Sequence, residues 1–121
     1  ADPLIEQNGE FLPRDKDAYG PDVVSNYAID FIKRNKDNPF FIYYPMALVH
    51  DPFLPTPDSD DWNDLEKRNE GNKPIYFSDM LTYMDKIVGR ISNTLEKNKL
   101  EILDDFELNK DYSDINSLIN L

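Results

Sequence analysis

Cysteine is absent from the 121 residues and histidine occurs once. The first absence excludes disulfides, thiolate metal sites and a cysteine nucleophile within the chain, and it leaves the redox compartment open. With four glycines in all, there is no glycine-rich phosphate loop and no nucleophile elbow. No apolar run approaches the roughly eighteen residues needed to span a bilayer, and no basic-then-apolar signal segment opens the chain. Positive charge is in the minority, with 13 Lys and Arg against 24 Asp and Glu for a net charge of −11. That balance excludes nucleic acid and anionic membrane surfaces as general partners.

What is present suits one small domain. Hydrophobic residues make up 40% and aromatics 12%, too much for a disordered acidic chain. The first twenty residues, with Pro3, Gly9, Pro13 and Gly20, read as loop with one small hairpin turning at Asn8-Gly9. From Pro21 the pattern becomes helical. Val24, Tyr27, Ala28, Phe31 and Ile32 recur at helical spacing, Asp22 suits the N-terminal end and Lys33, Arg34 and Lys36 the last turn, so a helix is predicted over about 21–36.

Pro39 then introduces the aromatic run Phe40-Phe41-Ile42-Tyr43-Tyr44, prolonged by Met46-Ala47-Leu48-Val49. It is short, proline-bounded and continuous, which predicts a strand over about 39–49 buried on both faces, as in a parallel sheet flanked by helices. A proline-rich acidic loop follows, with Asp58, Asp60, Asp61 and Asp64 around Trp62. Phe77, Met80, Leu81, Met84, Ile87, Val88, Ile91 and Leu95, spaced three and four apart, predict a second helix over about 75–97 with that stripe as core. The fold class is therefore α/β. Residues 101–121 hold six acids and one base and predict at most a helical turn or two around Ser113–Ile119.

His50 is the chemically suggestive residue, because it stands where the apolar segment ends, the edge at which open α/β sheets place ligands. On the residues alone, a hydrogen bond that merely caps the sheet is the plainer account of it. One imidazole is not a catalytic site: nucleophilic catalysis needs a nucleophile and an orienting group, and a metal needs three or four ligands. The acidic loop fails as an EF-hand, since Trp62 would take the fifth position and Asn69 the twelfth, and it reads as a solvated face. Asp104 and Asp105 have nothing nearby to push their pKa values apart. Asp85, at the border of the helical stripe, is expected to tie the helix to a neighbouring loop.

Five blocks together have a wider meaning: Asp17-Ala18-Tyr19-Gly20-Pro21-Asp22, Tyr27-Ala28-Ile29-Asp30-Phe31-Ile32, Pro39-Phe40-Phe41-Ile42-Tyr43-Tyr44-Pro45, His50-Asp51-Pro52-Phe53-Leu54-Pro55-Thr56-Pro57 and Tyr83-Met84-Asp85-Lys86-Ile87-Val88-Gly89-Arg90-Ile91. In order and spacing they resemble the middle of a bacterial arylsulfatase-type sulfatase. The resemblance implies an alkaline-phosphatase-like α/β sandwich, periplasmic or secreted localisation, and hydrolysis of a sulfate-ester small molecule or sulfated glycan. It implies a formylglycine made from Cys or Ser and a divalent cation, usually calcium. It places His50 in the sulfate pocket as a hydrogen-bond donor to the sulfate or its leaving oxygen.

The same resemblance marks what is missing. No Cys occurs, and no Ser is followed by the x-Pro-x-Arg or x-Ala-x-Arg context of formylglycine conversion. Where the family continues into a strand ending in Asp-Asn-Gly, this chain has Glu101-Ile102-Leu103-Asp104-Asp105-Phe106. The expectation is a partial catalytic domain over 4–98 followed by a divergent acidic tail over 99–121, with no cofactor bound by these residues themselves and no turnover by the chain alone. The rival expectation is a small acidic, non-catalytic binding module or an inactive truncated gene product.

Overall fold

Asn8 and Gly9 both take left-handed backbone angles, φ 56° and 87°. Two consecutive residues of that kind form the two-residue turn whose twist suits a hairpin. The computed structural model, which describes residues 3–68 and 73–100, accordingly pairs β1 (Glu6–Gln7) with β2 (Glu10–Phe11) antiparallel, Glu6 opposite Phe11.

Helix α1 spans Gly20–Asn35, one residue off the predicted start, with proline in its first turn and Lys33 and Arg34 in its last. It buries Ser25, Ala28 and Ile32, a stripe at spacings of three and four. Helix α2 spans Ile75–Lys97, as the periodicity predicts. Its C-terminus is closed by a Schellman motif, in which Leu100 N–H donates to Leu95 O at 3.0 Å and Lys99 N–H to Glu96 O at 2.9 Å. Lys99 occupies the left-handed position there, φ 55°.

The buried stripe of α2 is rotated from the expected one. Tyr76, Met80, Tyr83, Ile87 and Thr94 are buried, whereas Phe77, Leu81 and Val88 are exposed. The helix is apolar over a wider arc than its described neighbours cover, and the covered side is the one that meets α1 and the segment before His50. Tyr19, Leu48, Met80, Tyr83 and Ile87 form the centre of the core.

Residues 39–49 correct the expectation of a strand buried on both faces. The segment is extended but has no ladder partner among the described residues. Side chains alternate along it: Phe40, Ile42, Tyr44, Met46 and Leu48 turn toward the helices, while Phe41 and Tyr43 are 85% and 80% exposed. Period-two alternation is what an extended backbone imposes when one face alone is covered. The continuous apolar run could not distinguish one covered face from two. A groove of about 450 Å³ remains between this segment and the helices, lined by Ile32, Phe40, Ile42, Ile91 and Leu95 among others. The expectations for Glu101–Phe106 and Ser113–Ile119 fall outside the described residues.

The proline-rich loop carries one short 3₁₀ turn over Asp60–Asn63. Asp58, Asp60 and Asp64 are exposed, as a solvated face requires, and three of the loop's acids also meet lysines. Asp58 accepts from Lys86 Nζ at 2.6 and 2.8 Å, Lys67 donates to Asp61, and Tyr76 Oη donates to the same carboxylate at 2.7 Å. The Lys67 ammonium and the Tyr76 hydroxyl hold the Asp61 carboxyl below the usual carboxylate range. The loop is tied to α2 by Lys86 and by Asp79, which accepts from Ser59 Oγ at 2.5 Å. Asp85, expected in that role, is exposed.

Candidate functional site

An aromatic and cationic ladder organises one end of the molecule. The Arg68 guanidinium lies 4.6 Å over the Trp62 ring, Trp62 meets Tyr19 edge to face at 5.6 Å, Tyr19 meets Tyr83 at 5.2 Å, and Lys86 caps Tyr83 at 4.7 Å. Such contacts combine area burial with quadrupole and cation attraction. They connect the loop before residue 69, the start of α1 and the middle of α2. The helices are clamped beside them by Asp22, which accepts from Tyr83 Oη at 2.6 Å and from Arg90 Nη1 at 3.1 Å. Arg90 also donates to Asn26.

His50 leaves the extended segment two residues after the buried Leu48 and is itself exposed. Its Nδ1 stands 2.9 Å from the Asp51 carbonyl oxygen. A carbonyl only accepts, so Nδ1 carries a proton in this arrangement and Nε2 is the atom left to face outward. When the ring is neutral Nε2 is an acceptor, and when the ring is protonated Nε2 becomes a donor.

The ring borders a cavity of about 170 Å³ that is also lined by Tyr19, Gly20, Leu48, Arg68 and Met80. Two polar residues that line this cavity were not singled out by the sequence. Arg68 is 5% exposed; it donates to Lys16 O at 3.4 Å and sits 3.6 Å from Asp17, while its Nε has no partner among the described residues. Tyr19 is 8% exposed and its hydroxyl also has no partner among the described residues. Burial, with the Asp22 carboxylate second, raises the Tyr19 pKa, so the phenol keeps its proton and remains a donor. Neither residue carries a spacing signal. The one clue was an arginine placed among the acids of a proline-rich loop.

No three His, Cys, Asp or Glu side chains converge closely enough to hold a metal ion among the described residues. None of the described helices is long and apolar enough to cross a membrane. The comparison with known protein families matches the sulfatase model over residues 5–102. No curated protein and no solved structure matches the chain. The match takes in both helices, the extended segment and His50, and it brings with it, at the level of the family, an α/β fold and the hydrolysis of sulfate esters. The chain belongs to the sulfatase family.

Proposed function

We propose that this chain forms part of the catalytic domain of an arylsulfatase-type sulfatase, over residues 4–98, and that His50 stands on the sulfate side of its active site; residues 99–121 are a divergent acidic tail. The observation that carries the reading is the seat of His50. It lies at the end of an extended apolar segment, inside the family match, on a cavity that Tyr19 and Arg68 also line. An imidazole N–H aimed at an oxygen that gains charge as the S–O bond breaks stabilises the transition state more than the ground state. Because Nδ1 faces the Asp51 carbonyl, the donating atom is Nε2, and it donates in the protonated ring.

In this reading residues 39–49 serve as a strand of an alkaline-phosphatase-like sandwich, with the exposed Phe41 and Tyr43 as the face a second layer covers. The formylglycine and the divalent cation of the family do not fit the residues present. The chain has no Cys, its serines lack the conversion context, and no three His, Cys, Asp or Glu side chains among the described residues converge to hold a metal ion. The contribution of these residues is confined to binding and orienting sulfate oxygens. The substrate is a sulfate ester of a small molecule or glycan, and the location is periplasmic or secreted, as the family implies.

The test is turnover of 4-nitrophenyl sulfate by the chain with added calcium. No release of 4-nitrophenol above the uncatalysed rate is expected, and turnover would overturn the assignment of the nucleophile and cation to other segments. The exposed Phe41 and Tyr43 also favour a second reading, an acidic module that binds a protein partner through this face. That reading requires replacement of Phe41 and Tyr43 by serine to abolish partner capture and leave binding of sulfate esters unchanged.

A further inference from the structure

Residues 39–49 run extended, yet no hydrogen bond from the described residues reaches their backbone. An extended run of N–H and C=O groups without a ladder is a template for another strand. The two edges of this run differ. In an extended chain the backbone groups of successive residues point to opposite edges, so Phe40, Ile42, Tyr44, Met46 and Leu48 serve one edge and the odd-numbered residues the other. Pro39 and Pro45 both fall on the second edge and leave gaps in its donors, whereas the first edge has its full set. The first edge is therefore the one built to pair.

We propose that this edge pairs with the same edge of a second copy of the chain, antiparallel about a two-fold axis at Ile42. In that register Ile42 exchanges backbone hydrogen bonds with the partner's Ile42, and Phe40 with the partner's Tyr44. Phe41 then lies opposite the partner's Tyr43, and Pro39 opposite the partner's Pro45, at positions where the ladder requires no N–H. Aromatic side chains thus meet aromatic side chains across the strands, a favourable combination. Residues 38–49 carry no charge, so the ladder opposes no like charges, and the lysines that blunt an exposed edge are missing from it. The flanks are complementary in charge. Exposed Lys33, Arg34 and Lys36 outweigh Asp37 before the segment, and exposed Asp51 follows it, so antiparallel pairing sets a basic flank beside an acidic one. Pairing of one edge with itself about a two-fold axis closes at a dimer. The inference does not rest on the sulfatase reading, since pairing occupies an edge and leaves the outward face of Phe41 and Tyr43 free.

The experiment is sedimentation velocity of the 121-residue chain over a range of concentrations, joined to hydrogen exchange of its backbone amides. A concentration-dependent species of twice the 14.1 kDa of one chain is expected. In it the amides of Phe40, Ile42 and Tyr44 are protected, and those of Phe41 and Tyr43 are not. Two double variants test the register at side chains that are exposed and so outside the core. Phe41→Lys with Tyr43→Lys sets lysine opposite lysine and should weaken the dimer about thirtyfold or more. Phe41→Lys with Tyr43→Glu sets lysine opposite glutamate and should keep it within about tenfold of the unsubstituted chain. Net charge alone would act the other way, because the two lysines bring this acidic chain nearer neutrality. Helical circular dichroism should be the same in all three chains.

A chain that stays monomeric with unprotected amides at Phe40, Ile42 and Tyr44 would overturn the proposal. A monomer in which those amides are protected would overturn it as well, since the edge would then be filled from within the chain, by residues outside those described. A dimer that both double variants abolish equally would mean that the copies meet through apolar contact alone, in another register, and the ladder would fall. Protection at Phe41 and Tyr43 in place of Phe40, Ile42 and Tyr44 would overturn the choice of edge.

Discussion

Asp22 joins two helices with one carboxylate, accepting from Tyr83 on one oxygen and Arg90 on the other. Position alone marks it as a first-turn acid that complements the helix end. The structure adds a second task, because the Tyr83 hydroxyl loses its partner if the carboxylate is removed. Asp22→Ala is expected to cost about 1–3 kcal/mol, the range for stripping a charged partner from a part-buried donor. Urea denaturation measures it, and in a double-mutant cycle the Asp22 and Arg90 changes should be non-additive. At this scale the sequence was half legible. His50 could be singled out because it follows an apolar segment. Tyr19 and Arg68 could not, since what brings them to His50 is a ring stack through Trp62 that crosses some fifty positions, and such a contact leaves no periodic trace.

The helices were the legible elements because each repeats one signal over four turns or more. The bounds of α2 follow from its periodicity, yet the face it buries does not, because Phe77, Leu81 and Val88 are as apolar as the residues that are covered. Which side is buried depends on neighbours that no local pattern encodes. The extended segment shows the same limit, since aromatic content marked it as sheet-forming and only packing reveals that Phe41 and Tyr43 are left uncovered. At the end of α2, Lys99 holds a left-handed backbone angle in a position where glycine is free of side-chain strain. Lys99→Gly should therefore stabilise the protein by roughly 0.5–1 kcal/mol, read as a higher urea midpoint with an unchanged slope. A loss of stability would mean that the Schellman closure is not how this helix ends.

Across the whole molecule, the buried tyrosines govern the response to alkali. Burial raises Tyr83 first, and the hydrogen bond to Asp22 adds to it; burial raises Tyr19 and Tyr44 as well. These phenols hold their protons more tightly folded than unfolded. The stability they contribute is fully present below the ordinary tyrosine pKa of about 10 and is lost as pH rises through the higher folded values. Phenolate absorbance should accordingly include a step that coincides with loss of helical circular dichroism. Ionisation of Tyr19 and Tyr83 in the folded chain near pH 10 would contradict the burial described. The ladder from Arg68 to Lys86 and the clamp at Asp22 together hold the start of α1 against α2 and fix the wall on which His50 stands.

If His50 faces a sulfate group, as proposed, its ring nitrogens are the direct reporters. Nitrogen-15 spectra of the histidine ring, recorded while 4-nitrophenyl sulfate is added, should show a saturable shift at Nε2 that 4-nitrophenol, lacking the sulfate, does not produce. No shift, or an equal shift with the phenol, would contradict the placement of His50 on the sulfate side.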